Sequence, residues 1–191
     1  TIRLELFNPN HTGTGIFDEV TVNVVSPPPS GEDFWLEAEC GEVGSGWTTV
    51  DDTSVSNGQY LIRSLGNSFS PPNSEDGMVS FDLAVSTAGT YRVYGLVSVP
   101  SGNDDSFWIR ANGSSWISWN SIPGSNAFEW HQFHSSPNGP AFVTYVFDVG
   151  MNTIDIGYRE DGAALDKIYI TRIGPEPMGQ GEAAQACGTL P

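Results

Sequence analysis

The sequence predicts an all-β protein, an antiparallel β-sandwich of the jelly-roll type. Short runs of residues alternate between apolar and polar, as expected for half-buried strands. These runs end at clusters rich in Gly, Pro, Asn and Ser, and helical periodicity is nearly absent. Turn signals such as Ala88-Gly89 and Val149-Gly150 separate neighbouring runs, a pattern that favours a sandwich or jelly roll.

The predicted strands follow one another along most of the chain. In order they are Thr1–Phe7, Phe17–Val25, Phe34–Glu39, Met78–Val85, Thr90–Val99, Ser106–Ala111, Ala141–Val149, Asn152–Tyr158 and Lys167–Arg172. A chain of 191 residues suffices for one sandwich with additional segments. Because 38% of the residues are apolar and 12% are aromatic, we expect aromatic side chains to remain for a binding face once the core is filled.

The composition predicts one main domain with shorter segments on either side. Residues 26–31, Ser26-Pro27-Pro28-Pro29-Ser30-Gly31, are expected to form an extended linker. Residues 1–25 are predicted to form two strands that cannot bury a core alone. They are either the C-terminal hairpin of a preceding β-module or strands added to the main domain. The sandwich is assigned to residues 32–173 and an irregular tail to residues 174–191, within a larger protein whose other modules are partners.

The charge balance excludes several classes of partner. Lys and Arg number 7 and Asp and Glu number 23, which gives a net charge of −16. Such a surface repels phosphate backbones and anionic lipids, so we expect neither nucleic-acid binding nor membrane insertion. There is also no run of about 18 apolar residues that would span a bilayer. The composition suits a secreted, extracellular or cell-surface protein.

Two cysteines, Cys40 and Cys187, lie near opposite ends of the main domain and its tail. Their spacing in a chain of secreted character fits a disulfide that ties the tail to the first strand of the domain. The alternative is two free, buried thiols.

Five motifs occur in a characteristic order between residues 34 and 171. They are Leu36-Glu37-Ala38-Glu39, Ala88-Gly89-Thr90-Tyr91-Arg92-Val93, Asp104-Asp105-Ser106-Phe107-Trp108-Ile109, Trp116-Ile117-Ser118-Trp119-Asn120, and Tyr158-Arg159-Glu160-Asp161-Gly162 followed by Leu165-Asp166-Lys167-Ile168. Together they resemble the family 6 and family 35 carbohydrate-binding modules, most closely those of marine bacteria. The resemblance implies a jelly roll, a calcium ion near one end, and sugar recognition through loops or aromatic platforms.

The candidate metal ligands are Glu37, Glu39 and Asp166. Alternation along a strand places the two glutamates on one face, where they repel each other unless a cation lies between them. In the resembled families this Glu-x-Glu pair binds a structural calcium ion together with an aspartate of the last strand, here Asp166. Carbonyl oxygens near Ser56 or Asn57 would complete the six to eight oxygen ligands. The alternative is a pair of solvated glutamates.

The candidate carbohydrate ligands begin with tryptophans, because the C–H faces of sugars stack on aromatic rings. Alternation from residue 106 to 110 directs Phe107 to the core and Trp108 toward a ligand. Trp119 and Asn120 combine an aromatic platform with a hydrogen-bonding amide. Trp130 occupies the place where family 6 modules carry a stacking tryptophan in a loop; alternatively, it is a packing residue.

A charged group completes the candidate site. Family 6 modules often place a sugar-binding asparagine two residues before the last-strand aspartate, but Ala164 stands there in this sequence. Arg159, Glu160 and Asp161 are expected to replace it by binding adjacent hydroxyl groups. The alternative is a solvated turn with a local Arg–Glu pair, so the position of the cleft stays open.

The sequence predicts no catalytic activity. Glycosidases need two carboxylates that face each other across a cleft, and no such pair stands out here. Nucleophile-elbow, phosphate-loop and dinucleotide fingerprints are absent as well. The leading interpretation is a non-catalytic module that binds a polysaccharide or glycan. Its rival is a spacer or adhesive module of a surface protein, made rigid by calcium and without a sugar site.

Overall fold

A computed structural model describes residues 32–64, 66–135 and 141–184, all within one compact unit of the chain. The predicted hairpin 1–25, the linker 26–31 and Cys187 lie outside these residues, so the predictions made for them stay predictions. Among the described residues, no helix is long and apolar enough to cross a membrane. Two antiparallel sheets are present, which confirms the predicted β-sandwich.

Twelve strands are found in the described part of the chain. They are β1 (Asp33–Glu37), β2 (Glu42–Val43), β3 (Thr48–Asp51), β4 (Gln59–Ile62), β5 (Met78–Val85), β6 (Gly89–Val99), β7 (Phe107–Ala111), β8 (Ile117–Trp119), β9 (Ser125–Gln132), β10 (Thr144–Phe147), β11 (Gly150–Tyr158) and β12 (Ala164–Thr171). Three short 3₁₀ turns accompany them, at Ala38–Cys40, Ser56–Gly58 and Glu75–Gly77.

The first sheet is built around β6 and β12, which pair with each other in antiparallel fashion. Among the described residues it has seven strands. β10 and β9 pair with successive parts of the other edge of β6. β1 and β4 pair with successive parts of the other edge of β12, and β3 pairs with β4. We call this the seven-stranded sheet.

The second sheet has five strands in the described part of the chain, in the order β2-β5-β11-β7-β8. Its longest ladder joins β5 and β11 over eight residue pairs, from Gly150 opposite Val85 to Gly157 opposite Met78. We call it the five-stranded sheet.

The core lies between the two sheets because alternate residues of both point inward. Its fully buried members include Leu61, Val79, Leu83, Tyr91, Val93, Phe107, Ile109, Trp119, Phe133, Phe147, Ile154, Ile156, Leu165, Ile168 and Ile170. Trp119 is the largest of them, and Gly95 makes room for it: a Cβ atom at Gly95 would lie 2.8 Å from the Trp119 ring. Burial of this apolar surface is the main source of the fold's stability.

The first predicted strand ends earlier than its sequence indicates. β1 stops at Glu37, and Ala38–Cys40 form a 3₁₀ turn closed by Gly41 N–H donating to the Ala38 carbonyl. A Cβ atom at Gly41 would lie within 2.9 Å of the β5 backbone and of two β5 side chains, so the chain passes close to β5 there. The expectation that Glu37 and Glu39 alternate within one strand is therefore wrong.

The tail after β12 has no regular secondary structure as far as the structure describes it. Residues 174–184, which we call the strap, contact the outer face of the seven-stranded sheet through Arg92, Trp130 and Lys167. These residues belong to the segment for which an irregular tail was predicted, and their contacts with the sheet were not anticipated.

Candidate functional site

Four loops meet at one end of the sandwich, and hydrogen bonds join them. Residues 63–72 follow β4, residues 101–106 precede β7, residues 120–124 follow β8, and residues 159–163 connect β11 to β12. Backbone hydrogen bonds run from Ser68 N–H to the Arg159 carbonyl, from Gly162 N–H to the Arg63 carbonyl, and from Ile122 N–H to the Asp105 carbonyl. This network holds side chains from distant parts of the sequence at fixed positions.

Arg159 is the centre of this cluster. Its Nη1 atom lies 2.6 Å from Ser106 Oγ, 3.0 Å from Asn120 Oδ1 and 3.0 Å from Glu160 Oε1. The guanidinium therefore joins three of the four loops. Its Nε atom is buried without a hydrogen-bond partner. The structure thus brings the predicted residues Arg159, Asn120 and Glu160 together.

Glu160 holds the loop before β7 in place by hydrogen bonds. It is buried, and its Oε2 atom accepts hydrogen bonds from Asp105 N–H and from the Ser106 hydroxyl. Burial, and to a smaller degree the nearby Glu160 carboxylate, raises the pKa of Asp105. Since both Glu160 oxygens are engaged by protein groups, this residue supports the loops rather than offering a free carboxylate to a ligand.

Asp161 fixes the loop that follows β4. Its Oδ2 atom accepts from Gly66 N–H at 3.0 Å, and its own N–H donates to Asn67 Oδ1 at 2.8 Å. Arg159 and Glu160 therefore pair with each other, whereas Asp161 bonds to the loop after β4. The local Arg–Glu pair is present, and the binding of sugar hydroxyls by these three residues stays a prediction.

Two aromatic rings flank the Arg159 guanidinium. The guanidinium carbon lies 5.2 Å from the centre of the Phe69 ring and 5.6 Å from that of Trp108. These are cation–π distances. Trp108 is half-buried and donates its indole N–H to the Ser68 carbonyl at 3.0 Å, whereas Phe69 is 63% exposed. We call Phe69, Trp108, Asn120, Arg159 and Glu160 the loop-end site.

The alternation predicted for β7 is confirmed, because Phe107 is fully buried and Trp108 lies on the outer face of the five-stranded sheet. Trp119 corrects another expectation. It is 0% exposed, its ring centre lies 4.4 Å from that of Phe133, and its indole N–H donates to His134 Nδ1. A ring enclosed in the core cannot stack on a sugar.

Trp130 also lies elsewhere than predicted. It belongs to β9, opposite Leu96 of β6, and is therefore in a strand of the seven-stranded sheet rather than in a loop. Its ring makes an edge contact with Trp35, and its indole N–H donates to the Gly179 carbonyl of the strap at 2.9 Å. Since Trp108 lies on the opposite sheet, the two tryptophans belong to different surfaces.

The three predicted calcium ligands share neighbours near the Ser56–Gly58 turn. The Glu37 carboxylate accepts from the Ser56 hydroxyl at 2.8 Å, and Glu39 accepts from the Asn57 amide at 2.7 Å. Asp166 accepts from Ser56 N–H at 3.2 Å. These contacts place the carboxylates of β1, of the turn after it and of β12 around one short segment.

A β-bulge presents Asp166 to this cluster. In the ladder between β12 and β6, Leu165 pairs with Val97 and Lys167 pairs with Leu96, so Asp166 is the extra residue. Bulges re-aim side chains in this way, often beside functional sites. Asp166 is only 1% exposed, and burial, followed by the charges of Glu37 and Glu39, raises its pKa to about 7.

The oxygen atoms of this cluster are incompletely satisfied. Glu37 Oε2, Glu39 Oε2 and Asp166 Oδ1 are all buried and have no hydrogen-bond partner. Burial also raises the pKa of Glu39. Unpaired buried carboxylate oxygens are costly, and a hard cation satisfies them. The donor set therefore fits calcium.

Carboxylates alone do not complete such a site. In the described part of the chain, no group of three or more His, Cys, Asp or Glu side chains is arranged to hold a metal ion by itself. Calcium takes six to eight oxygen ligands and uses carbonyl and hydroxyl oxygens beside carboxylates. Lys167 Nζ lies 3.2 Å from Glu37 Oε1, so one positive charge already borders the cluster.

Sequence reasoning missed Phe69 and Ser106. Phe69 lies in a Ser- and Pro-rich segment that has no strand periodicity, so no pattern marks its ring as part of a site. Ser106 precedes a strand, and its link to Arg159 depends on a loop 53 residues away. Only the closure of the sandwich brings these residues together.

No family model and no curated protein matches this sequence. The fold, however, matches solved structures of carbohydrate-binding modules. The family 35 module from Clostridium thermocellum is 22% identical, with a TM-score of 0.51, over 72% of this chain and 98% of that chain. The C-terminal family 6 module of LamC, a marine laminarinase from Zobellia galactanivorans, is 13% identical, with a TM-score of 0.52, over 74% and 100% of the two chains.

Enzymes that contain such a domain match over a smaller share of their length. Exo-β-1,3-galactanase from Phanerochaete chrysosporium, solved with galactose, is 21% identical with a TM-score of 0.52. The match covers 74% of this chain and 29% of that chain, so the present chain spans less than a third of that enzyme. These likenesses confirm that the chain has the jelly-roll fold of the family 6 and family 35 modules.

Proposed function

We propose that this chain is a non-catalytic carbohydrate-binding module of a larger secreted or cell-surface protein, and that it binds polysaccharide at the loop-end site. The observation that carries this proposal is the exposed Phe69 ring beside Trp108 and Arg159. An exposed ring offers a stacking surface for the C–H face of a sugar, and polar groups at its edge orient the hydroxyls. The fold shared with known modules supports this role.

The two acidic residues after Arg159, Glu160 and Asp161, are not arranged for hydrolysis. Glycosidases hold two carboxylates opposite each other across the scissile bond. Here both oxygens of Glu160 are engaged by protein groups, and Asp161 is bonded to the loop after β4. Because the chain carries a net charge of −16, we propose a neutral polysaccharide as its ligand, since uronate and sulfated polymers would be repelled.

The test is a glycan array followed by calorimetric titration of the best neutral oligosaccharide. Phe69→Ala removes the stacking ring, so we expect affinity to fall about tenfold, equivalent to about 1.4 kcal/mol. The melting temperature should stay unchanged because the ring is exposed. Phe142→Ala is the matched control. Phe142 is 58% exposed and precedes β10 of the seven-stranded sheet.

Unchanged affinity in Phe69→Ala would show that the sugar binds elsewhere. An array on which no glycan binds would favour the rival function, a calcium-rigidified spacer of a surface protein.

We also propose that Glu37, Glu39 and Asp166 hold a structural calcium ion, completed by oxygens of the Ser56–Gly58 turn. The three unpaired buried carboxylate oxygens support this proposal. Bound there, the ion would link the end of β1 to β12 without contacting the loop-end site.

Calcium should raise the melting temperature of chelator-treated protein by several degrees at pH 8 and by much less at pH 5. The pKa of Asp166 in the folded, calcium-free protein is about 7, against an ordinary value of 3.8. At pH 5 this carboxyl is therefore protonated and a poor ligand. Without calcium, its raised pKa contributes stability that is complete below about pH 4 and is lost as the pH rises through about 7.

Differential scanning fluorimetry at the two pH values measures this effect, with Asp166→Asn as the comparison. The variant should lose the calcium response at pH 8 and keep its fold. Equal calcium responses of the wild type and Asp166→Asn would rule out this ligand set.

A further inference from the structure

The segment that follows β9 places His134 between the core and the loop-end site. His134 is only 8% exposed, and its backbone forms a bridge with Phe142. The residue before it, Phe133, is fully buried, and the Phe133 N–H donates to the Val93 carbonyl of β6 at 2.9 Å. The His134 ring is therefore attached to the framework of the sandwich rather than to a loop.

The neighbours of the His134 ring fix which of its nitrogens carries the hydrogen. Nδ1 lies 3.1 Å from the indole N–H of Trp119, which can only donate, so Nδ1 accepts. Nε2 lies 2.9 Å from the carbonyl oxygen of Asn120, which can only accept, so Nε2 donates. The Gln132 carbonyl lies 3.3 Å from Nδ1 and would favour the other tautomer. That tautomer would lose both of the other bonds, so the neutral ring carries its hydrogen on Nε2.

The peptide group between Asn120 and Ser121 is held at both of its polar atoms. His134 Nε2 donates to its carbonyl, and its N–H, which belongs to Ser121, donates to Asp105 Oδ1 at 3.3 Å. Ser121 has a φ of +61°, a left-handed conformation that is costly for a residue with a Cβ atom. Such a conformation persists only where its surroundings hold it. His134 and Asp105 thus hold this turn in place from its two sides.

The orientation of this peptide group decides where the Asn120 side chain lies. The Oδ1 atom of Asn120 accepts from Arg159 Nη1 at 3.0 Å. Arg159 pairs with Glu160, whose Oε2 atom accepts from the N–H of Asp105. Since the Asp105 carboxylate holds the peptide after Asn120, these hydrogen bonds close a circuit through the loop-end site. His134 connects this circuit to the core.

We propose that His134 is a positioning residue of the loop-end site, and that its Nε2–H bond to the Asn120 carbonyl fixes the Asn120 amide for sugar binding. This inference rests on the function proposed for that site. Since Asn120 Oδ1 faces Arg159, the amide nitrogen of Asn120 is the atom that donates to a sugar hydroxyl. His134 acts through Asn120 and does not itself contact the sugar, because its ring is buried.

Two substitutions separate the two hydrogen bonds of His134. His134→Gln keeps an amide N–H near the position of Nε2 and loses the acceptor for Trp119. His134→Asn keeps an acceptor near the position of Nδ1 and loses the donor to Asn120. Calorimetric titration with the best neutral oligosaccharide should show affinity falling about fivefold in His134→Asn, the effect of one hydrogen bond, with little change in His134→Gln. Each variant loses one buried bond, so a merely structural role predicts equal affinities.

A second measurement needs no sugar. In NMR spectra of the free protein, the side-chain amide signals of Asn120 and the backbone N–H signal of Ser121 should shift in His134→Asn and stay near their original positions in His134→Gln. An array on which no glycan binds would count against the proposed function, and these spectra would still decide the role of His134.

The same two substitutions at His131 are the matched control. His131 is half-buried in β9, three residues before His134, and its Nε2 atom has no hydrogen-bond partner in the described part of the chain. Sugar affinity and the Asn120 signals should therefore stay unchanged in His131→Gln and His131→Asn.

Equal affinity and equal Asn120 signals in His134→Asn and His134→Gln would overturn the proposal. If either variant fails to fold, the exposed Ser121 tests the same peptide group. Ser121→Gly adopts the left-handed conformation without steric cost, whereas a β-branched residue does not, so only Ser121→Val should weaken sugar binding and shift the Asn120 signals. Equal behaviour of these two variants would overturn the proposal as well.

Discussion

Two aromatic surfaces lie on opposite sides of the sandwich, and they differ in what covers them. At the loop-end site, Trp108 donates its indole N–H to the Ser68 carbonyl, and the same loop leaves the Phe69 ring exposed. On the other sheet, Trp130 makes the equivalent bond to Gly179, and there the strap lies over the rings. The comparison shows that a surplus of tryptophan does not identify a ligand surface. The segment that packs on each ring decides whether it is accessible.

The two surfaces also differ in how their arginines are held. Arg159 forms an ion pair with a buried glutamate, whereas Arg92 donates to the Tyr94 hydroxyl and to a strap carbonyl. The loop-end site is therefore part of the folded framework, and the strap is attached to the surface of a sheet that is already complete.

The largest effect we expect separates these two arginines. Arg159→Ala leaves Glu160 buried without its partner, and breaking a buried pair in this way costs about 3–5 kcal/mol of unfolding free energy. Arg92→Ala removes hydrogen bonds from a half-buried charged donor to neutral acceptors and should cost less, about 1.5–3 kcal/mol. Urea denaturation of both variants measures the difference. Similar losses in the two variants would show that the loop-end site is no more integral to the fold than the strap contact.

A smaller effect distinguishes the two tryptophans. Trp108→Phe and Trp130→Phe each keep a ring and remove one indole N–H donor, a change of about 1 kcal/mol. We expect Trp108→Phe to weaken sugar binding and leave the strap protected from proteolysis. Trp130→Phe should do the reverse. Parallel calorimetry and limited proteolysis test this; if either variant changed both readouts, the two surfaces would not be independent.

The strands whose sequence alternates most clearly were predicted well. Met78–Val85 has the predicted bounds, and β6 and β11 differ only by additional residues at the start. In each of them alternate residues pack into the core between the sheets, and this gives their sequences a clear alternation. β3 and β9 were missed because their residues are mostly exposed or half-buried, which removes the periodic signal.

The candidate site was predictable only in part. Arg159, Trp108 and Asn120 were identified from motifs and do lie together. Trp119 was identified in the same way but is buried in the core, because a tryptophan within a motif looks the same in sequence whether it is exposed or packs against Gly95. Two of the partners of Arg159, Asn120 and Ser106, lie 39 and 53 residues away in sequence, and such contacts depend on the topology of the whole sandwich rather than on local pattern.

The bulge in β12 makes this strand unusually sensitive to changes of length. Asp166 and Lys167 are adjacent in sequence. Asp166 accepts a hydrogen bond at the Ser56–Gly58 turn, whereas Lys167 donates to a carbonyl of the strap. Inserting or deleting one residue here would exchange the two sides of the strand, turning Lys167 and Tyr169 toward the core. Relatives of this chain are thus expected to keep β12 free of insertions and deletions.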